Sequence, residues 1–193
     1  MSATHESRAQ GGRYSTVSIL FHWTIAALLI TQVFVGGWFS DLDRGPARTQ
    51  AFGLHFSLGV TILLLSLARL GWRVAHPAPP LPDHMPRWEK LLARATHVGF
   101  YVVLLGMPLT GWAMASAGSG PLEVWGVLPW PKIPGIDRDG RELFDTLHHE
   151  VILKLFWALL VLHVAGALKH HFLQRDEVLW RMLPIVGRPD RKG

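Results

Sequence analysis

Apolar residues along this chain fall into four long runs, Ile19–Phe39, Phe52–Leu70, Thr96–Ala117 and His149–Leu168, separated by polar, Pro-rich or charged segments. A helix needs about 20 predominantly apolar residues to cross the ~30 Å hydrocarbon core of a bilayer, and each run is of that order. The pattern predicts an all-α integral membrane four-helix bundle, one membrane domain over residues 1–193 with polar ends at 1–13 and 185–193. The first run is too long for the apolar stretch of a signal peptide, so it reads as a span. "SDLDRGPART" is a tight turn, and "AHPAPPLPDHMPRWEKLLAR" opens with prolines that forbid a helix before turning amphipathic at Arg87. The longest loop, between spans three and four, is rich in Trp and Pro and should lie over one end of the bundle. Pro108, inside span three, should bend it.

Charge changes this picture only by orienting it. The 193 residues carry a net charge of +5, which might suggest a nucleic-acid partner. Thirteen of the 19 Lys and Arg residues, however, fall in the N-terminal segment, the segment between spans two and three, and the tail. Five (Arg44, Arg48, Lys132, Arg138 and Arg141) fall on the opposite side, and Lys154 lies within a span. The positive-inside rule then sets both termini in the cytoplasm, and no nucleic-acid partner is expected. The chain has no cysteine, which excludes disulfides, iron–sulfur ligation and covalently attached haem.

The chemistry lies in the histidines. Ionisable side chains inside spans are costly and face the bundle interior. Four of the eleven histidines are so placed, and the alternating direction of the spans matches them in depth. His22 and His163 are near the cytoplasmic side, His55 and His149 near the outer side. Fourteen residues of α-helix return to within roughly 40° of the starting direction and advance roughly 21 Å, so His149 and His163 share a face. Zinc and copper sites commonly add carboxylate or thiolate ligands, whereas a haem iron with two axial imidazoles needs only a histidine from each of two helices. Two b haems, one at each depth, are the reading. Ala26, Gly59, Gly166 and Ala167, one turn from their histidines, would leave room for the macrocycle. Histidines that merely hydrogen-bond between helices are the plain alternative. His97 could replace His22 or His163 as a ligand. His170, His171, His84 and Lys169, near the cytoplasmic edge, could hydrogen-bond a quinone carbonyl or a haem propionate, or be solvated; His5 and His76 suggest no function.

The stretches "SILFHWTIAALLI", "GLHFSLGVTILLLSLARL" and "HHEVILKLFWALLVLHVAGALKHHFLQRDEVLWRMLP" resemble the bacterial cytochrome b-561 family over about residues 14 to 184. These are four-helix, two-haem cytochromes of the inner membrane, related to the cytochrome b subunits of hydrogenases. The resemblance implies haem-iron ligation by His22, His55, His149 and His163, and ubiquinone as an exchangeable substrate, with His170 and His84 the candidates to bind it. It also implies a small periplasmic electron donor or redox protein as the other partner. Superoxide is such a donor, and the activity would then be that of a superoxide:ubiquinone oxidoreductase. A membrane subunit of a hydrogenase or formate dehydrogenase is the alternative within the fold, and a haem-free proton-coupled or metal transporter the alternative outside it. The long outer loop matches the family least.

Overall fold

A computed structural model of the chain describes residues 12–83 and 85–184. Most of the polar ends, 1–11 and 185–193, and also His84, lie outside the described residues. Four helical spans are present: α1 (Thr16–Asp41), α2 (Pro46–Ala75), α3 (Arg87–Ser116) and a continuous fourth span, Arg138–Gln174. The fourth is composite. It runs through α4 (Arg138–Thr146), a π turn (Leu147–Ile152), α5 (Leu153–Leu168) and a second π turn (Lys169–Gln174).

The helices begin and end where local chemistry says they should. Ser15 caps α1 by accepting the Ser18 N–H at 3.2 Å, and Pro46 sits in the first turn of α2. Asp137 caps α4 by accepting the Gly140 N–H at 2.8 Å. All four spans exceed the apolar runs, because their amphipathic ends continue the helix past the bilayer core. Span three starts at Arg87, nine residues before its run, and span four at Arg138, eleven before. α3 passes through Pro108 as one helix, and the Thr110 hydroxyl beside it lies 2.9 Å from the Gly106 and Met107 carbonyls.

α1 packs on α2, α2 on α3, and α3 on the fourth span. Large apolar side chains such as Ile30, Phe34, Leu64, Val102 and Val161 point outward, the arrangement lipid favours, while Ile25, Ile62 and Leu104 fill the interior. Close approach depends on small residues. A Cβ at Gly99 would stand 3.0 Å from the Leu159 side chain. Lys154 is exposed and held by Glu150 one turn earlier at 2.6 Å, which explains a lysine inside an apolar run.

The loop between spans three and four covers one end of the bundle, with a β-hairpin that the apolar pattern did not signal. β1 (Leu122–Val124) pairs antiparallel with β2 (Leu128–Trp130), with Leu122 opposite Trp130. Trp125 (φ 57°) and Gly126 (φ 68°) both take the left-handed conformation that a mirror-image hairpin turn requires. Leu122 and Val124 are buried against Phe56 and Val60 of α2, and the Trp125 N–H donates to Ser57 Oγ at 2.7 Å. At the opposite end the first and last described segments meet. Arg13 donates to the Leu183 carbonyl, Trp23 to that of Met182, and Arg181 to that of Pro80 in the Pro-rich loop.

Candidate functional site

Two levels of the bundle interior collect imidazoles. At the level nearer the chain ends, the His22 ring of α1 and the His163 ring of α5 have centroids 6.2 Å apart, and His97 of α3 stands 6.0 Å from His163 on another side. Phe100 closes the group at 5.3 Å from His163. At the level nearer the hairpin, His55 of α2 faces His148 with centroids 6.4 Å apart.

The ring that faces His55 is that of His148; His149, to which the spacing pointed, stands beside it with ring centroids 5.0 Å apart. The His149 side chain is 48% exposed and turns to Asp145, with Nδ1 3.3 Å from its carboxylate and 3.2 Å from its carbonyl oxygen. The cause is the π turn at Leu147–Ile152. Each i→i+5 bond encloses one residue more than an α-helical bond, so the turn absorbs about one extra residue and shifts the phase of all that precedes it. An unbroken helix aligns residues fourteen apart; with one residue absorbed, the aligned pair is fifteen apart, His148 and His163.

Each ring can be followed nitrogen by nitrogen. Thr110 Oγ1 lies 3.0 Å from His148 Nδ1. With the hydroxyl proton committed to the Gly106 or Met107 carbonyl, Oγ1 accepts from an Nδ1–H, which leaves the Nε2 lone pair of His148 unprotonated. The Gln32 side-chain amide donates to the His55 carbonyl at 3.0 Å and lies 3.3 Å from His55 Nε2. His55 Nδ1 and His22 Nδ1 are buried with no hydrogen-bond partner. Leaving such an atom unpaired costs about 1–3 kcal/mol, a cost that a ligand at either ring would offset.

A haem iron between paired imidazoles fits these residues. An imidazole nitrogen bonds a metal at about 2 Å and the ring centre lies about 1 Å behind it, so rings on opposite sides of one iron stand roughly 6 Å apart. The observed 6.2 and 6.4 Å match, as does the 6.0 Å between His97 and His163. A hydrogen bond on the far nitrogen, as Thr110 gives His148, is the usual way a ligating imidazole is oriented.

Several functional neighbours escaped the sequence reading. Gly36 and Gly111 are the small residues that touch the rings: a Cβ on either would lie 3.2 Å from Cε1 of His55 or His148. Gly59 adjoins Gln32 instead, and a Cβ at Gly166 meets nothing within 4 Å. Glycines at ring-contact positions are the signal that could have identified His148. Among the cytoplasmic-edge candidates, His170 is buried and Lys169 is bonded to Glu89 at 2.6 Å. His171 lies beside Trp180, with its Nδ1 buried and unpartnered. His76 stacks on Trp72 with centroids 3.8 Å apart.

The family model described as prokaryotic cytochrome b561 matches residues 13–184. The chain is similar to "Cytochrome b561 homolog 2" of Escherichia coli (strain K12), 33% identical over 89% of this chain and 91% of the relative. It is 28% identical to "Probable superoxide oxidase CybB" of Yersinia pestis, over 89% of this chain and 96% of the relative. With "Cytochrome b562" of Cereibacter sphaeroides the identity is 24%, over 88% and 94%.

The Thr110 contact gives a direct test of how His148 is held. Thr110→Val keeps the shape and removes the acceptor, so it should cost about 1–3 kcal/mol in thermal unfolding, while Thr110→Ser should stay close to the parent.

Proposed function

The chain belongs to the prokaryotic cytochrome b561 family, and from that premise we propose that it passes electrons across the membrane through two b haems, between a periplasmic donor and ubiquinone. Membership itself makes the chain a multi-pass bacterial membrane protein of electron transfer, with b-type haem as its cofactor. That sets the haem-free transporter aside. The reading of two haems is carried by one observation: two imidazole pairs of haem-spanning separation at opposite ends of the same bundle. Fifteen residues of the fourth span separate His148 from His163, roughly 20 Å along the axis, so a single group cannot serve both levels.

His22 and His163 would hold one iron and His55 and His148 the other. When bound, each haem would supply a one-electron couple, held by an imidazole from each of two helices. Thr110 orients His148, Gly36 and Gly111 admit the rings, and the hairpin packs over Phe56 and Val60 of α2, the helix that carries His55. The Lys and Arg distribution supports an outer position for the hairpin and cytoplasmic termini.

Superoxide as the donor is supported by the printed name of the Yersinia pestis relative. Two superoxide anions would give two electrons and leave as dioxygen, and ubiquinone would take up those electrons with two protons. Of the five outer cations, Arg48 donates to the Leu42 carbonyl, Lys132 to that of Gly118, and Arg138 pairs with Glu142. Bonds to neutral carbonyls leave the positive charge of Arg48 and Lys132 in place to attract an anion.

Three measurements test this reading. Pyridine-haemochrome quantification should give two b haems per chain, falling to one in His55→Ala, His148→Ala, His22→Ala or His163→Ala; retention in His97→Ala and His149→Ala is expected. Full haem in His148→Ala with loss in His149→Ala would return the outer ligand to the motif position. A reporter active only in the periplasm should be silent after Gly193 and active when inserted near Gly135. In stopped-flow mixing, superoxide should reduce the oxidised protein and a soluble ubiquinone analogue should reoxidise it; failure of the second step removes quinone as the acceptor.

A further inference from the structure

The cytoplasmic end of the fourth span carries a polar cluster that ligation does not use. In the second π turn, Lys169–Gln174, His170 is turned inward and buried. Its Nδ1 lies 2.6 Å from Asp176 Oδ2, and its Nε2 lies 4.0 Å from Glu89 Oε2 on α3. Both carboxylates are themselves largely sheltered, with side chains 8% and 10% exposed. Glu89 is also bonded to Lys169 Nζ at 2.6 Å and to Gln174 Nε2 at 3.3 Å, and Lys169 lies over the Trp88 ring.

The loop that follows is built to keep Asp176 there. Arg175 takes a left-handed conformation (φ 52°), the Asp176 N–H donates to the His170 carbonyl, and Asp176 Oδ1 accepts the Val178 N–H at 2.9 Å. Lys169 alone would suffice to neutralise Glu89 and tie α3 to the fourth span. A sheltered imidazole with a carboxylate at each nitrogen does something more, because it can accept a proton at one nitrogen and release one from the other.

We propose that Asp176, His170 and Glu89 form a proton relay at the cytoplasmic end of the fourth span, supplying the protons that ubiquinone takes up with its electrons. The proposal rests on the ubiquinone reading above and adds to it the route of the protons. Reduction of one quinone consumes two electrons and two protons and yields the quinol. The electrons come from the donor; each proton enters from the cytoplasm at Asp176, crosses the His170 ring from Nδ1 to Nε2, and leaves on the Glu89 side. The 4.0 Å gap between Nε2 and Glu89 is longer than a direct hydrogen bond, the span of a contact completed by water or by the quinone oxygen. Glu89 and Asp176 are thus proton-handling residues, and Lys169 and Gln174 position Glu89.

The experiment uses the full chain with its haems, pre-reduced and mixed with either ubiquinone-1 or ferricyanide, which takes electrons without protons. Glu89→Gln and Asp176→Asn should slow reoxidation by ubiquinone-1 by about tenfold or more, with the loss growing as pH rises and a larger slowing in heavy water. Reoxidation by ferricyanide and the haem spectrum should be unchanged; Glu89→Asp should recover part of the rate, and the exposed hairpin variant Glu123→Gln all of it. Independently of turnover, proton NMR should show a strongly deshielded Nδ1 proton on His170, lost in Asp176→Asn. Unchanged ubiquinone-1 rates in both variants, or equal slowing with both oxidants, would overturn the relay while the quinone reading stands. A parent protein that ubiquinone-1 does not reoxidise removes the quinone reading, and the relay with it.

Discussion

An imidazole turned into a lipid-embedded bundle gives up water at both ring nitrogens, and the helices around it must supply what water did. That requirement organises the interior. At the level near the hairpin, Thr110 reaches His148 because it stands one helical position from Gly111, whose missing side chain lets the ring lie against α3. Gln32 of α1 reaches across to the His55 carbonyl of α2, and Gly36, one turn on, clears space for the same ring. The Nδ1 atoms of His22 and His55 are left without a hydrogen-bond partner by the helices around them. Packing among the spans is thus set by ring placement as much as by apolar fit, since apolar side chains gain little by leaving lipid for one another.

The two ends of the bundle solve different problems. Near the hairpin, side chains mostly bond backbone: Arg48 to Leu42, Lys132 to Gly118, Trp112 to Pro131. Those contacts fix irregular loops over an apolar interior and fill carbonyl valences that lipid cannot. At the other end, charged side chains also bond each other, and Glu89 joins Lys169 and Gln174, 80 and 85 residues away in sequence. The charged network of Glu89 thus adds to the backbone bonds that Arg13, Trp23 and Arg181 make at the same end.

Much of this was legible in the chain itself. Four runs of bilayer length gave four spans, and depth-matching brought His22 to His163 because uninterrupted α-helix lies on the inward side of each ring. The same arithmetic selected His149 where the structure turns His148 toward His55, since hydropathy does not report a π turn and a one-residue phase shift exchanges neighbouring side chains between interior and surface. The hairpin was hidden because its strands are three residues each and its burial comes from Phe56 and Val60, far off in sequence. Glu89 was equally silent: read locally, it is an acidic residue in the first turn of a helix, an ordinary place for one. Only the return of the fourth span beside α3 gives it partners.

The π turn at Leu147–Ile152 has a consequence for how the chain can vary. A helix that crosses the membrane in one piece normally couples its two ends rigidly, so that a one-residue insertion or deletion anywhere rotates one end against the other. Here the surplus residue is stored locally, between the capped helix Arg138–Thr146 and the segment that carries His163. Gaining or losing a residue at that joint would re-index the outer end alone and trade His148 for His149 as the inward ring. Two adjacent histidines within such a joint make the level near the hairpin tolerant of a frame slip that would be ruinous at His163.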